Sequence, residues 1–488
     1  MKEKSIKFNA ILYMLTTGLG VLYPLITFPY ISHILSVENL GRVNYGTSVI
    51  GYFSLVATLG INTYAVREGA KYRDNYNLFS EFANEIFTTN IFTTVISYVL
   101  FFLCMFIFPQ FSHYRLLLCL QSVSIGLSTI GVNWINSIYE DYFFITIRTI
   151  CVQIVSIFLM FLLVRSSQDV YQYAFLLVFS NGITSFFNII YVKKYVHLHI
   201  VKCNIFMHLR SAIVFFASNL AITIYVSSDT IMLNWLKGDF FTGLYSVPVK
   251  IYSILKSLLT CIYTVAIPRL TSFYNNNQID KYKELLTDLI SNVVIFATPI
   301  MVGIICKARN IIYIVSGSKY EKSIVTLRLL SVALIFSVFS GLIVNGMNVT
   351  IGKEKNSLEA TTLSALINIV LNIWLIRLFA QDGAAVTTIV SELFVVIFCV
   401  LKCGNNIFDY FNFKRIIIQF VQSSVASLGI IIVCVISGIM LQNCVVDLLL
   451  SIFISIICYF GLLIIMKNYY VRSLLDDINK NWKSFIKN

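Results

Sequence analysis

The stretch Pro24-Leu25-Ile26-Thr27-Phe28-Pro29-Tyr30-Ile31-Ser32-His33-Ile34-Leu35-Ser36-Val37-Glu38-Asn39-Leu40-Gly41-Arg42 decides how this chain is read. An apolar run carries two prolines. A short polar turn follows, and a second long apolar segment continues to Arg67-Glu68. The pattern predicts two membrane helices, the first interrupted at Pro24 and Pro29, joined by a tight connection. Much of the design recurs later as Leu236, the acidic-aromatic turn Asp239-Phe240-Phe241, Gly243, Tyr245, an apolar run and Pro268-Arg269. Gly41 and Arg67 have the same 26-residue separation as Gly243 and Arg269. An internal repeat of this kind predicts two similar halves wrapped around a shared central space.

Working outward, composition agrees. The 488 residues are 58% hydrophobic and only 12% charged, with a mean hydropathy of +0.82, whereas a soluble domain carries about 25% charged residues. Six prolines and long apolar runs favour helices of about 20 residues over the alternating segments of a membrane barrel. The fold class expected is all-α, a polytopic membrane protein of about fourteen transmembrane helices, with two pseudo-symmetric six-helix bundles and two C-terminal helices. The segments fall near 10–34, 40–66, 83–108, 115–138, 143–164, 171–192, 211–236, 241–268, 285–306, 324–348, 357–380, 383–402, 415–440 and 444–466. The expected divisions are 1–204 for the first bundle, 205–404 for the second, and 405–488 for the added pair of helices and a basic tail.

The net charge of +13 is spread between apolar runs. No basic stripe with interleaved aromatics marks a nucleic-acid partner, so the cations read as topology signals. Most of the 36 Lys and Arg fall on one side when both termini are cytoplasmic, which requires an even number of spans. Arg42 and Lys307 lie on the minority, outer side. Asn310 to Gly317 reads as a short helix at the outer interface. The eleven cysteines lack paired spacing, and Cys399 reads as a buried apolar residue, not a metal ligand. His197, His199 and His208 lie in the mid-chain linker 193–210; with no acidic or Cys partner in sight, they read as a solvated basic segment and no metal site is assigned.

Phe28-Pro29-Tyr30-Ile31-Ser32-His33-Ile34-Leu35, Glu38-Asn39-Leu40-Gly41 and Leu59-Gly60-Ile61-Asn62-Thr63-Tyr64-Ala65-Val66-Arg67-Glu68 resemble the bacterial polysaccharide flippases. These are the Wzx-type O-antigen and capsule-unit transporters of the multidrug/oligosaccharidyl-lipid/polysaccharide exporter superfamily. The resemblance implies a bacterial plasma-membrane protein that moves an undecaprenyl-pyrophosphate oligosaccharide from the inner to the outer leaflet. It also implies the lipid bilayer, a polysaccharide polymerase and a chain-length regulator as partners. No cofactor is implied beyond H⁺ or Na⁺ coupling. Around Asn133-Trp134 the chain departs from the family pattern: Asn133 and Ser137 stand where an acid and a glycine are expected, while Trp134, Glu140 and Arg148 fit. Trp134 reads as an interface anchor.

A charge within the hydrocarbon costs about 2.5–3.5 kcal/mol or more, so intramembrane charges should face water or a partner. Lys250 and Lys256, with Arg148, are the candidates for attracting a phosphate, Lys acting as a point charge. Six residues apart on a helix, the two lysines point about 120° apart. Asp229 and Glu392 are candidates for ion coupling or for a cavity ion pair, Glu392 being the most isolated charge. Asn368 and Asn372 share a helix face and suit either sugar hydroxyls or helix–helix hydrogen bonds. A phosphate loop is excluded because Gly346 and Gly352-Lys353 have the wrong spacing and Glu354 follows. Short outer loops argue against a sugar polymerase or glycosyltransferase, and cationic walls argue against a drug-cation exporter, which leaves a lipid II exporter as the nearest rival.

Overall fold

The computed structural model describes residues 6–403 and 410–472, and the described chain divides into two compact units, Met1–Ser246 and Val247–Asn488. In the first unit, α1 (Ile6–Ile34) and α2 (Val37–Thr58) meet at Ser36. The Ser36 side chain caps α2 by accepting from Asn39 N at 3.2 Å, and Asn39 Nδ2 donates to the Ser167 carbonyl at 2.7 Å. These bonds satisfy an N–H left open at the helix start and pin the connection. The expected interruption at Pro24 and Pro29 does not occur: α1 runs through both prolines. Hydroxyls nearby bond carbonyls of the same helix, Thr27 to Tyr23 at 2.9 Å and Ser32 to Pro29 at 3.0 Å, and membrane helices tolerate proline within them.

The expected segment 40–66 breaks instead at Leu59-Gly60, both left-handed (φ 41° and 73°), before the nine-residue α3 (Ile61–Gly69). The second repeat copies this. Helix α10 (Asp239–Thr264) is followed by the nine-residue α11 (Ile267–Asn275), which carries Arg269 as α3 carries Arg67. Between them run α4 (Tyr76–Ile107), a 3₁₀ segment (Pro109–Tyr114), α5 (Arg115–Ile130), the short α6 (Asn133–Ile138), α7 (Tyr142–Leu163), α8 (Val170–Val192) and α9 (Ile205–Lys237). Helix α10 begins in the first unit and continues into the second.

The second unit adds α12 (Ile279–Ser316), α13 (Ile324–Gly341) with a π-helical continuation Leu342–Asn348, α14 (Glu354–Cys403), α15 (Phe413–Met440) and α16 (Cys444–Ile465). Helix α12 carries a non-helical Lys307 and ends at Gly317 (φ 81°), so 308–316 is a separate helical piece beyond a kink. Twelve of the described helices are long and apolar enough to cross a membrane. One of them, α14, is divided by Ala380 (φ 49°), and α1 contributes its apolar part Gly18–Ile34. That gives fourteen, with ends close to those read from the sequence. The division expected at 404/405 lies outside the described residues, as do Lys480, Lys483 and Lys487 of the basic tail.

Packing inside the first unit is partly polar. Along α4, Asn90 Nδ2 and Thr93 Oγ1 donate to the Ala57 carbonyl at 2.8 and 2.5 Å, and Ser97 Oγ donates to Phe53 O at 2.6 Å. These short side chains take up the carbonyls where α2 ends and let the backbones approach. Trp134 is 3% exposed within a core of Ile61, Phe79, Phe82 and Ile135, so it packs internally and is not an interface anchor. The opposite faces are apolar and open, for example Val95, Val99, Phe102 and Phe106 on α4 and Leu428, Ile432 and Ile439 on α15. On a water-soluble protein such patches would drive association; on this one they suit lipid.

Candidate substrate site

In the second unit, α10 and α14 bring together two residues singled out separately in the sequence. Lys256 Nζ lies 3.0 Å from Glu392 Oε1. The Tyr252 hydroxyl donates to the same oxygen at 3.2 Å, and Ser340 Oγ on α13 donates to Oε2 at 2.6 Å. Glu392 is therefore not an isolated charge, as expected above, but the anionic half of an ion pair. The two partners differ in access: the Glu392 side chain is 2% exposed and that of Lys256 31%. Lys250, one and two-thirds turns earlier on α10, is half-buried and forms no ion pair among the described residues.

Asn368 and Asn372 bond each other on the first limb of α14, and Asn372 also bonds the second limb. Asn372 Nδ2 donates to Asn368 Oδ1 at 3.0 Å, and Thr387 Oγ1 donates to Asn372 Oδ1 at 2.6 Å. Both asparagines are fully buried, which fits the helix–helix use.

In the first unit, Arg148 on α7 is 8% exposed. Its Nη2 donates to Asn133 Oδ1 at 3.1 Å, and its guanidinium carbon stands 5.5 Å from the Phe144 ring centre. Its Nε and Nη1 are buried and find no acceptor among the described residues. A guanidinium stays protonated, and each unmet buried donor carries a desolvation cost of about 1–3 kcal/mol or more. The two donors leave the guanidinium with unused hydrogen-bonding capacity inside the unit. Asp229, on α9, is buried and accepts from the Tyr245 hydroxyl at 2.9 Å.

Four further networks were not foreseen. Arg42 Nε lies 2.9 Å from Asp239 Oδ2, while Tyr114 OH (2.6 Å) and Asn234 Nδ2 (2.8 Å) donate to Oδ1. His208, read as a solvated linker residue without an acidic partner, is instead 2% exposed in α9. It contacts Glu85 Oε2 at 3.0 Å and Tyr64 OH at 3.1 Å. Lys307, counted among the charges on the outer side, is buried. Both oxygens of Asp447 lie 2.7 Å from its Nζ, with Ser437 Oγ at 2.9 Å, and Asn310 Nδ2 donates to Asp447 at 2.6 Å. The signal for this last pair was present: Asp447 is the lone acid in an apolar helix. Just outside the helices, Asp141 accepts from Tyr195 OH at 2.6 Å and Lys194 Nζ at 2.7 Å. Burial, then the hydrogen bond to Asp141, pushes the Tyr195 phenol well above its usual range, so it stays a donor that ties down the start of the linker.

The family described as polysaccharide biosynthesis protein matches residues 6–274, and this chain belongs to it. Proteins of Shigella dysenteriae and Escherichia coli K12, both named "Putative O-antigen transporter", are 23% and 22% identical over 80% and 82% of this chain and nearly their whole length (98% and 97%). Among solved structures, the lipid II flippase MurJ in an inward closed conformation is similar at TM-score 0.75 and 17% identity, covering 96% of this chain and 99% of that one. A multidrug resistance MATE transporter of the MOP superfamily is similar at TM-score 0.58 and 17% identity, covering 85% and 99%. These likenesses show the fold, a multi-pass membrane architecture of the MurJ and MATE kind. The Wzx-type resemblance read from residues 28–68 agrees with the family match.

Proposed function

We propose that this protein is a flippase. It carries undecaprenyl-pyrophosphate-linked oligosaccharide repeat units from the cytoplasmic to the outer leaflet of the bacterial plasma membrane, by alternating access, for O-antigen, capsule or exopolysaccharide synthesis. The observation that supports it most is Arg148, a buried cation with two unmatched donors in a membrane-spanning helix. Such a group attracts a phosphate and repels a cationic drug. Lys250 adds positive charge in the second unit, where Lys256 is held by Glu392 until an anion draws it away, and Asp229 is assigned to a buried hydrogen-bonded pair with Tyr245. The repeats are 1–204 and 205–404, with 405–488 added, and both termini are cytoplasmic. A sugar unit with its pyrophosphate cannot cross hydrocarbon unaided, since each unpaired hydroxyl costs several kcal/mol. The protein supplies polar and cationic partners while the prenyl tail stays in lipid.

The test is a deletion strain. Lipid-linked repeat units should accumulate facing the cytoplasm while surface polymer is lost, and Arg148→Gln should fail to restore it at normal expression. Surface polysaccharide unchanged by the deletion removes this function.

A further inference from the structure

Lys256 is already occupied. Its partner Glu392 is nearly inaccessible and is held from two other sides, by the Tyr252 hydroxyl at 3.2 Å and Ser340 Oγ at 2.6 Å. Lys256 is the exposed member, on a flexible four-carbon stem. Of the two, the lysine can swing away and the carboxylate cannot.

Resting on the function proposed above, we propose that Glu392 is a resident competitor for the substrate's phosphate at Lys256, a positioning residue that weakens anion binding so that the flipped headgroup is released. Three features lead there. An anion reaching Lys256 must draw it from a carboxylate at 3.0 Å, and that loss is subtracted from the ligand's gain whatever the ligand is. The carboxylate left behind keeps two hydroxyl donors, so the exchange does not strip it bare. When the anion departs, Lys256 returns to a partner whose position has not changed. Without Glu392, an unpaired lysine would hold a diphosphate more tightly, and tight uniform binding slows turnover because product leaves slowly. Lys250 lacks such a partner among the described residues, so the competition is specific to Lys256.

The experiment uses purified full-length protein and methyl-capped farnesyl diphosphate as probe, with binding read by thermophoresis. Flipping of a fluorescent lipid-linked diphosphate disaccharide is read in proteoliposomes. Glu392→Gln keeps the shape and an acceptor oxygen but not the charge. It should bind the probe about tenfold more tightly, the size of one charge-assisted hydrogen bond, while its maximal flipping rate falls. Glu392→Asp, which withdraws the carboxylate by one methylene, should shift both readouts the same way by less. The double variant Lys256→Gln/Glu392→Gln should lose the gain in affinity. Equal or weaker binding in both single variants, or tighter binding with faster flipping, overturns the competitor role. Probe binding absent from the wild type and every variant overturns the anion-carrier reading as well.

Discussion

Gly41 of α2 and Gly243 of α10 meet backbone to backbone. A Cβ at Gly41 would overlap the Asp239 carbonyl and come within 2.8 Å of Gly243 N; a Cβ at Gly243 would overlap the Val37 carbonyl. These are the two glycines that occupy equivalent places in the internal repeat. Only hydrogen fits on either side, so α2 and the start of α10 pack backbone against backbone here. Gly243→Ala should therefore lower stability by about 1–3 kcal/mol through overpacking, seen as a lower melting midpoint in detergent. A midpoint equal to the wild type would show that the helices can part without cost.

Beside that seam, Asp239 matters more than its ion partner. The Arg42 side chain is 39% exposed and that of Asp239 13%, and Asp239 also accepts from Tyr114 and Asn234. Losing Arg42 removes a half-solvated pair, typically worth under about 1 kcal/mol. Losing Asp239 strands two further donors, about 1–3 kcal/mol. Asp239→Ala should destabilise more than Arg42→Ala in thermal unfolding; the reverse order would contradict the network.

The Lys256–Glu392 pair predicts another asymmetry. Lys256→Gln leaves a carboxylate that water hardly reaches, whereas Glu392→Gln leaves a lysine that can find water. Breaking a buried pair from the buried side costs about 3 kcal/mol or more. Lys256→Gln should melt earlier than Glu392→Gln. In cells, Lys256→Ala should cut surface polymer at normal expression and Lys256→Arg should keep part of it; full polymer with alanine would demote the residue to a structural one.

Lys307 and Asp447 tie α12 to α16 through a pair that is about 5% exposed on each side. Single replacements, Lys307→Met or Asp447→Leu, leave an uncompensated buried charge. The double replacement removes both charges and can be nearly neutral. The double variant should express and melt more like the wild type than either single one, and additive losses would refute the pairing.

The spans were legible because hydrocarbon imposes one rule: long apolar runs separated by polar turns. The Gly41–Gly243 repeat was legible as spacing. The failures have physical causes. Pro24 and Pro29 read as breaks, but α1 runs through both, as membrane helices tolerate. The break came at Leu59-Gly60, where backbone handedness and not hydropathy decides. Lys256 and Glu392 were each found as intramembrane charges. Their pairing was hidden because 136 residues separate them and periodicity carries no information between helices. His208 looked solvated for the same reason, since Glu85 lies on another helix.

In the function proposed above, membrane-embedded cations carry a lipid-linked anion across the bilayer. The most direct measurement of that function is the initial flipping rate of a fluorescent lipid-linked diphosphate oligosaccharide in proteoliposomes, comparing wild type with Arg148→Gln. The wild type should flip the lipid well above empty vesicles, with Arg148→Gln at least about tenfold slower, the loss of one charge-assisted contact. Equal rates for the two proteins, or a wild type no faster than protein-free vesicles, would contradict it.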